Sequence, residues 1–236
     1  MILLPVYNHN QLYPVNPTKI IALGLNYREH IAESDSLRVR GFTSEIPGEP
    51  ILFPKTSNCL IGPEEPIVLP KFLKDYGFEE LRTDYEAELA FIIKEKGKNI
   101  PLEKAKDYIL GFTCFNDVSQ RNLQRMDKSG WFRAKSLDTF GPIGPQLVLT
   151  PDIGDPNNLN IECRLNHKVV QKSNTRNMIF PIEEILAFVS KNFTLFPGDI
   201  IVTGTPQGVG PLKSGDVVEV EIEKIGVLRN PVIEET

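Results

Sequence analysis

Cysteine and histidine are both scarce in this chain of 236 residues, and each occurs only three times. The cysteines, Cys59, Cys114 and Cys163, lie far apart and form no CxxC pair. Their number and spacing argue against both a disulfide framework and a zinc site. A chain without a disulfide framework is typical of a reducing compartment, so we predict a cytoplasmic location.

Long hydrophobic runs and blocks of basic residues are lacking as well. No apolar run approaches the roughly 18 residues that a membrane helix requires. The segment that follows Met1 has no basic start, and its apolar stretch is interrupted at Pro5, so we expect neither a signal peptide nor a membrane anchor. Lysine and arginine are dispersed and the formal net charge is −5, so we expect no nucleic-acid partner.

The chain contains many short apolar runs, separated by its 19 prolines and 17 glycines. Such a series predicts a strand-rich fold. The predicted strands include Ile20–Leu23, Ile51–Phe53, Ile67–Leu69, Leu89–Ile93, Leu147–Leu149, Ile200–Val202 and Val217–Ile222.

Helical spacing occurs in fewer places. The i, i+3, i+4, i+7 pattern begins at Ile182 behind Pro181, a weaker pattern covers 102–109, and a short helix is expected at 118–126. The polar segment 33–50 is predicted to be a long loop, of the kind that often forms a lid. We predict a small amino-terminal appendage, residues 1–17, and one main domain, residues 18–236.

The segment 83–93, TDYEAELAFII, alternates acidic and apolar residues. A strand here places Asp84, Glu86 and Glu88 on one face. Successive residues on one face are about 7 Å apart, so carboxylates that are partly out of water repel one another unless a cation lies between them. A hard metal ion is the simplest such cation, and the alternative is an exposed edge strand with ordinary acids.

Asp117 follows the apolar run 109–115 and precedes a polar, helix-like segment. Its carboxylate is suited to cap that helix. Together with Glu86 and Glu88 it could instead complete a site of three carboxylates. An all-oxygen donor set without Cys or His favours Mg²⁺ or Mn²⁺ over zinc.

His30 and Glu33 are three residues apart and share a face if their segment is helical. A carboxylate beside an imidazole fixes its tautomer and raises its basicity, as a general base for water requires. The alternative is a solvated helical turn with polar neighbours that have no function.

Two further segments are candidates for substrate contacts. Lys135 lies between aromatic residues and a Gly-Pro turn, although a solvated lysine is the more common case. The glycine-rich stretch 203–210, TGTPQGVG, predicts a turn that offers backbone amides and a hydroxyl to an anion, although many such turns bind nothing.

Five motifs in this order resemble the short single-domain branch of the fumarylacetoacetate hydrolase family, which includes acylpyruvate hydrolases, oxaloacetate decarboxylases and hydroxyheptadienedioate isomerases. The resemblance covers about residues 19–231. The motifs are GLNYREH at 24–30 with Glu33, DYEAELA at 84–90, FNDVSQRNLQ at 115–124, WFRAKSLDTFGPIGP at 131–145 and TGTPQGVGPLKSGD at 203–216.

The resemblance implies a strand-rich α+β fold in which a mixed β-sheet is rolled into a flattened barrel, and it implies a homodimer. It implies Mg²⁺ or Mn²⁺ bound by Glu86, Glu88 and Asp117. In the same pattern His30 and Glu33 form a water-activating dyad on a segment that orders when the lid closes.

The resemblance also implies roles for four further residues. Lys135 and Gln124 are expected to position substrate and water, and Thr205 and Arg121 to hold a substrate carboxylate. Leu25 stands where many relatives have the arginine of a GRNY motif, which removes one carboxylate clamp and leaves the far end of the substrate open.

These implications predict a metal-dependent enzyme whose partner is a small-molecule 2-oxo acid. The first expectation is hydrolytic cleavage of the carbon-carbon bond of an acylpyruvate-type 1,3-diketo acid through a metal-bound enolate. One alternative is an isomerase or decarboxylase of the 2-hydroxyhepta-2,4-diene-1,7-dioate or oxaloacetate type, which would use the same enolate. An alternative of another class is a non-catalytic, metal-dependent binder of oxo acids.

Overall fold

The computed structural model describes residues 1–31, 46–128 and 130–236, with residues 30 and 31 described by their main chain alone. Within these ranges the chain is strand-rich. The strands are Leu3–Pro5 (β1), Leu12–Pro14 (β2), Ile20–Gly24 (β3), Ile51–Lys55 (β4), Leu60–Ile61 (β5), Ile67–Leu69 (β6), Thr83–Tyr85 (β7), Ala87–Ile93 (β8), Ile109–Asn116 (β9), Ser119–Gln120 (β10), Gly141–Leu149 (β11), Asn160–Leu165 (β12), Lys168–Asn174 (β13), Ile200–Val202 (β14), Gly210–Pro211 (β15), Val217–Ile222 (β16) and Gly226–Glu234 (β17).

The helices are short, apart from one. The α-helices are Arg28–Ile31 (α1), Arg121–Met126 (α2), Phe132–Lys135 (α3), Thr150–Ile153 (α4) and Ile182–Asn192 (α5), and the 3₁₀ segments are Ser57–Cys59, Lys71–Tyr76, Leu102–Tyr108 and Thr175–Asn177. None of these helices, in the ranges that the structure covers, is long and apolar enough to cross a membrane.

Two mixed sheets form the body of the fold. A seven-stranded sheet has the order β4-β3-β14-β8-β9-β11-β5, and a five-stranded sheet has the order β13-β12-β16-β17-β6. Parallel pairs occur in both, β3 with β14 in the first and β6 with β17 in the second. The curled sheets make a half-barrel, which confirms the predicted strand-rich α+β fold.

The hydrophobic core lies on both faces of β8. Leu89, Phe91 and Ile93 belong to one buried cluster, which also contains side chains of β16 and α5, whereas Ala90 and Ile92 belong to a second. Glu88 shares the face of Ala90 and Ile92, because side chains alternate along a strand. The second cluster also contains Phe53 and Trp131, so the acidic end of β8 lies beside an aromatic wall.

Every predicted strand is present, but some boundaries differ from the sequence pattern. The expected strand 83–93 is interrupted at Glu86, because β7 pairs within a small three-stranded sheet and β8 within the large one. The helix expected at 118–126 begins at Arg121, since Ser119 and Gln120 pair with β7 first. The segment 102–108 forms a 3₁₀ helix, and α5 matches its predicted start.

The amino-terminal residues form a hairpin. β1 and β2 pair as an antiparallel two-stranded sheet, and a bridge joins Val6 to Leu147 of β11. The division of the chain at residue 17 stays a prediction. Of the predicted loop 33–50, residues 33–45 lie outside the described residues.

Candidate metal centre and active site

Three carboxylates converge where β8 begins and β9 ends. The two strands are antiparallel, and Ala87 lies opposite Asn116. Glu86 and Glu88 flank Ala87 and Asp117 follows Asn116, so this register brings the three side chains together. One oxygen of each carboxylate lies within 4.8 Å of the others, and all three residues are at most 4% exposed.

The burial of the segment 83–93 removes the edge-strand alternative, because every one of its residues is buried. The capping role considered for Asp117 is also wrong. The side chain that caps α2 is that of Gln120, whose oxygen accepts a 3.0 Å hydrogen bond from the amide of Leu123. Asp117 therefore points into the site, where its carboxylate meets two lysines.

Lys135 is buried between two of these carboxylates and is not solvated. Its Nζ donates hydrogen bonds of 2.6 Å to Glu86 Oε2 and of 2.6 Å to Asp117 Oδ2. Burial alone would lower the pKa of this ammonium. The negative charges of Asp117 and Glu86 raise it by more than burial lowers it, so the pKa of Lys135 lies above its ordinary value. Lys135 therefore remains charged and occupies carboxylate oxygens that a metal ion would use.

A second buried lysine, Lys55 at the end of β4, contacts Asp117 from another direction. Its Nζ donates a 2.7 Å hydrogen bond to Asp117 Oδ1 and further bonds to the carbonyl oxygens of Lys135 and Phe140. The sequence reasoning missed this residue. Lys55 follows Phe53 by two residues in β4, so both side chains lie on the same buried face of the strand. That spacing was the one indication in the sequence.

Arg121, at the start of α2, holds another of the carboxylates. Its Nε donates to Asp84 Oδ2 at 2.7 Å, its Nη1 to Gln124 Oε1 at 2.9 Å, and its Nη2 to Glu86 Oε1. All three guanidinium nitrogens thus contact protein groups. Asp84 pairs with Arg121 and with Arg82 and does not join the other three carboxylates. Substrate binding by Arg121 and Gln124 stays a prediction.

The glycine-rich turn between β14 and β15 is attached to β8. The amide of Gly204 donates to Glu88 Oε2, and Thr205 Oγ1 donates to the carbonyl of Ala87 at 2.9 Å. Gly204 has φ +93°, and a Cβ there would lie 2.8 Å from Asn26 Cβ. The hydroxyl proton of Thr205 is thus used within the protein. The expected contact of Thr205 with a substrate carboxylate stays a prediction.

Gln171 of β13 completes this attachment and was also missed from the sequence. Its Oε1 accepts from the amide of Ala87 at 3.0 Å, while its Nε2 donates to Thr205 Oγ1 at 2.9 Å and to the carbonyl of Pro206 at 2.8 Å. The five-stranded sheet therefore fixes both the first residue of β8 and the turn. No sequence pattern marks this glutamine.

The three clustered carboxylates disfavour one another's charged forms. Burial raises the pKa of Glu88 well above its ordinary range, and the charges of Asp117 and Glu86 raise it further. The other buried acid of the site, Asp84, is paired with Arg121 and with the partly exposed Arg82. A divalent cation on oxygen ligands would relieve the repulsion among Glu86, Glu88 and Asp117 and fits this donor set.

In the part of the chain that the structure describes, the buried side-chain atoms without a hydrogen-bond partner are Tyr27 Oη, Asn116 Nδ2 and Ser136 Oγ. Asn116 and Ser136 are the chain neighbours of Asp117 and Lys135, but neither residue lines the cavity at the carboxylates. Asn116 lies opposite Ala87, so its side chain is on the face of the sheet away from Glu88.

Beside the charged groups lies an apolar wall. A narrow cavity is lined by Leu23, Leu25, Phe53 and Trp131 together with the carboxylates of Glu86 and Glu88. Leu25 is buried and has φ 55°, a left-handed conformation that is uncommon for leucine. Leu25, at the position of the arginine in the GRNY motif, therefore presents an apolar surface to the cavity.

The predicted water-activating dyad is only partly covered by the structure. His30 lies in α1, which follows the buried Tyr27, but its side chain and the whole of Glu33 lie outside the described residues. The dyad therefore stays a prediction.

Comparison with known proteins gives a consistent result. Residues 19–233 match the family described as fumarylacetoacetate (FAA) hydrolase, C-terminal. A mitochondrial oxaloacetate tautomerase of Xenopus laevis is 44% identical over 96% of this chain and 69% of its own length. The crystal structure of a 2-hydroxyhepta-2,4-diene-1,7-dioate isomerase from Mycobacterium marinum has a TM-score of 0.80 and 36% identity, and the match covers 95% of this chain and 78% of that one.

A third relative carries ligands. The crystal structure of fumarylpyruvate hydrolase from Pseudomonas aeruginosa, in complex with Mn²⁺ and pyruvate, has a TM-score of 0.83. It is 28% identical to this chain, and the match covers 99% of this chain and 96% of that one.

Proposed function

The chain belongs to the fumarylacetoacetate hydrolase family, and we propose that it is a divalent-metal-dependent enzyme that acts on 2-oxo acids through their enol or enolate forms. The observation that carries this proposal is the convergence of Glu86, Glu88 and Asp117, with the ammonium of Lys135 bonded between two of them.

Glu86, Glu88 and Asp117 would hold Mg²⁺ or Mn²⁺, which when bound supplies a Lewis acid that polarises the keto oxygen of the substrate. The positive charge of the ion, together with the buried ammonium of Lys135, would make the site complementary to the carboxylate of a 2-oxo acid.

Lys135 is the described side chain placed to move a proton in this site. Lys135 Nζ is bonded to Glu86 and Asp117, two of the residues that would hold the ion, so its ammonium lies beside the place where substrate would bind. That ammonium would stabilise the enolate oxygen by hydrogen bonding and deliver a proton to it. Phe53 and Trp131 would exclude bulk water from this side of the reaction.

The reaction best supported is relocation of a proton in a 2-oxo dicarboxylate, as in the keto–enol interconversion of oxaloacetate. It needs the metal ligands and one proton-transfer group, and Lys135 is placed to be that group. The name of the Xenopus laevis relative, an oxaloacetate tautomerase, supports this choice. Isomerisation of a 2-hydroxydienedioate and decarboxylation of oxaloacetate would use the same enolate.

A second candidate is hydrolytic cleavage of the carbon-carbon bond of an acylpyruvate. It is favoured by the HxxE pattern of His30 and Glu33, the expected water-activating dyad, and by the structural similarity to fumarylpyruvate hydrolase. In this reaction the base would deprotonate a water that attacks the distal carbonyl, and cleavage would release a carboxylic acid and pyruvate.

The test compares the two reactions in one assay format. Purified protein is incubated with Mg²⁺ or Mn²⁺ and either enol oxaloacetate or acetylpyruvate, while enol absorbance and pyruvate release are followed. Free metal ions also promote enol chemistry, so the Glu86→Ala variant at the same metal concentration is the control. We expect acceleration above this control with at least one substrate.

A wild-type rate equal to the control with every 2-oxo acid tested would contradict the enzyme proposal. If Mn²⁺ and pyruvate still bound in a titration, that result would favour a non-catalytic binder of oxo acids.

We also propose a cytoplasmic homodimer, as the family pattern implies. Light scattering coupled to gel filtration should give about twice the chain mass of 26.6 kDa, and a mass of one chain at micromolar concentration would contradict the dimer.

A further inference from the structure

The three carboxylates of the site share a feature that the sequence does not reveal. In each of them one oxygen is bound by a protein donor other than Lys135. Arg121 Nη2 binds Glu86 Oε1, the Gly204 amide binds Glu88 Oε2, and Lys55 Nζ binds Asp117 Oδ1. The ammonium of Lys135 contacts the opposite oxygens of Glu86 and Asp117.

Lys55 is fixed more firmly than Lys135. Its ammonium has three N–H groups, and three acceptors bind them: Asp117 Oδ1 and the carbonyl oxygens of Lys135 and Phe140. The side chain is 0% exposed, so displacement would leave a charge without partners inside the protein. Among the described residues, the acceptors of Lys135 Nζ are the carboxylates of Glu86 and Asp117 and no main-chain carbonyl, and both carboxylates belong to the proposed ion site.

The number of oxygens that a carboxylate offers matters for the choice of ion. Ca²⁺ takes six to eight oxygen ligands and readily accepts two from one carboxylate, whereas Mg²⁺ requires near-octahedral geometry with shorter bonds. An ammonium fixed on one oxygen of a carboxylate opposes two-oxygen binding, because its positive charge would then lie close to the ion. Single-oxygen ligands suit the small six-coordinate ion and leave positions for substrate oxygens.

We propose that Lys55 is a positioning residue that keeps Asp117 a single-oxygen ligand, and so biases the centre against Ca²⁺ and toward Mg²⁺ or Mn²⁺. This inference rests on the proposed function, because it takes Glu86, Glu88 and Asp117 as the metal ligands. Lys55 acts through Asp117 and through the main chain of Lys135, and it does not touch the substrate.

The experiment measures the ratio of the Ca²⁺ and Mg²⁺ dissociation constants. Binding of Mn²⁺ to the full chain is followed by the electron paramagnetic resonance signal of free Mn²⁺, and Mg²⁺ and Ca²⁺ are then titrated as competitors. Removing a positive charge changes the attraction of both divalent ions alike, so the ratio isolates the geometry of the carboxylate.

In the Lys55→Met variant, Asp117 Oδ1 loses its ammonium partner. Both oxygens of Asp117 then become able to bind the larger ion, Ca²⁺. We expect the affinity for Ca²⁺ relative to Mg²⁺ to rise about tenfold, the lower end of the range for changes beside a metal ligand. Arg121→Gln, which releases the second oxygen of Glu86, should shift the ratio in the same direction.

Lys19→Met is the matched control. Lys19 pairs with the buried Asp199, whose carbonyl accepts from the amide of Ile93 at the other end of β8. This variant should lose thermal stability without a change in the ion ratio. A lysine with a merely structural role at position 55 would behave in the same way.

A folded Lys55→Met protein with the wild-type ratio would overturn the inference. Should that variant fail to fold, Lys55→Gln keeps an amide donor for the main-chain carbonyls, and its ratio decides the question by the same criterion. If the wild-type protein binds no Mn²⁺, the inference and the proposed function fall together, whereas an unchanged ratio with normal wild-type binding removes the inference alone.

Discussion

At the scale of single residues, the site is governed by competition between cations for a few buried oxygens. Lys135 donates to one oxygen of Glu86 and one of Asp117, and a divalent ion would require the same atoms. The lysine thus stabilises the metal-free site. Under the proposed function, one side chain would therefore affect both metal binding and proton transfer.

Replacing Lys135 by Met separates these two roles. The variant loses a competing positive charge, so we expect Mn²⁺ to bind at least as tightly as in the wild-type protein. Turnover should fall by about a hundredfold or more, the usual loss of a general acid–base group. Titration calorimetry and the enol assay measure the two quantities.

A Lys135→Met protein that keeps full turnover would exclude the lysine from the reaction. One that loses both metal binding and its folded structure would instead assign Lys135 a structural role.

The raised pKa of Glu88 predicts how stability depends on pH in the metal-free protein. Burial, Asp117 and Glu86 raise this pKa above the ordinary value of 4.5, so the folded state retains a proton that the unfolded state loses. The free energy of unfolding should therefore decrease as the pH rises through that interval. A bound ion would take the place of the proton, so the gain in melting temperature on adding Mn²⁺ should grow as the pH rises.

Thermal melts of the wild-type protein and of Glu88→Gln test this prediction without any assay of activity. The variant cannot lose this proton, so its metal-free melting temperature should fall less with rising pH than that of the wild-type protein. Equal slopes for the two proteins would contradict the raised pKa.

At the scale of elements, the site depends on strand register and on one tether between the two sheets. The pairing of Ala87 with Asn116 places Asp117 beside Glu86 and Glu88. Gln171 then connects β13 to the first residue of β8 and to the turn at Thr205. The five-stranded sheet thus holds the ligand strand and the glycine-rich turn in one arrangement.

Gln171→Met keeps the side-chain volume and removes this tether. The amide of Ala87 would be left buried without its acceptor, which should lower the free energy of unfolding by about 1–3 kcal/mol. Urea denaturation of the metal-free protein measures the change.

The control for this variant is Gln207→Met, at an exposed position of the same turn, where a change within about 0.5 kcal/mol is expected. Equal effects at positions 171 and 207 would show that the tether contributes nothing.

Much of the element pattern could be predicted from the sequence, because it follows from local periodicity. The alternation of 83–93 predicted that Glu86 and Glu88 lie on one face, and the end of an apolar run predicted the position of Asp117. The break at Glu86 could not be predicted, since it arises from pairing with two different sheets.

The roles of Lys55 and Gln171 could not be predicted either. The spacing of Lys55 from Phe53 indicates only which face of β4 it occupies, and no pattern marks Gln171. Both residues act through contacts with segments far along the chain. The capping role for Asp117 was plausible locally, but Gln120 supplies the cap because β10 intervenes before the helix.

At the scale of the whole molecule, two curled mixed sheets bring distant motifs to the start of β8. Four of the five family motifs meet there: Glu86 with Glu88, Asp117 with Arg121, Lys135, and the turn of Gly204 and Thr205. The first motif reaches the same place through Leu25, which lines the cavity. Leu25 and Thr205 are about three quarters of the chain apart in sequence, yet both line one charged cavity with an apolar wall.

The central claim is that an ion bound by Glu86, Glu88 and Asp117 activates a 2-oxo acid. Anomalous diffraction from crystals soaked in Mn²⁺ and pyruvate tests it most directly, because the signal locates manganese independently of any assumed ligand. The account predicts a single strong peak within bonding distance of one oxygen from each of the three carboxylates, with pyruvate oxygens on its open side. A fully substituted crystal with manganese elsewhere, and with the ammonium of Lys135 still between Glu86 and Asp117, would contradict it.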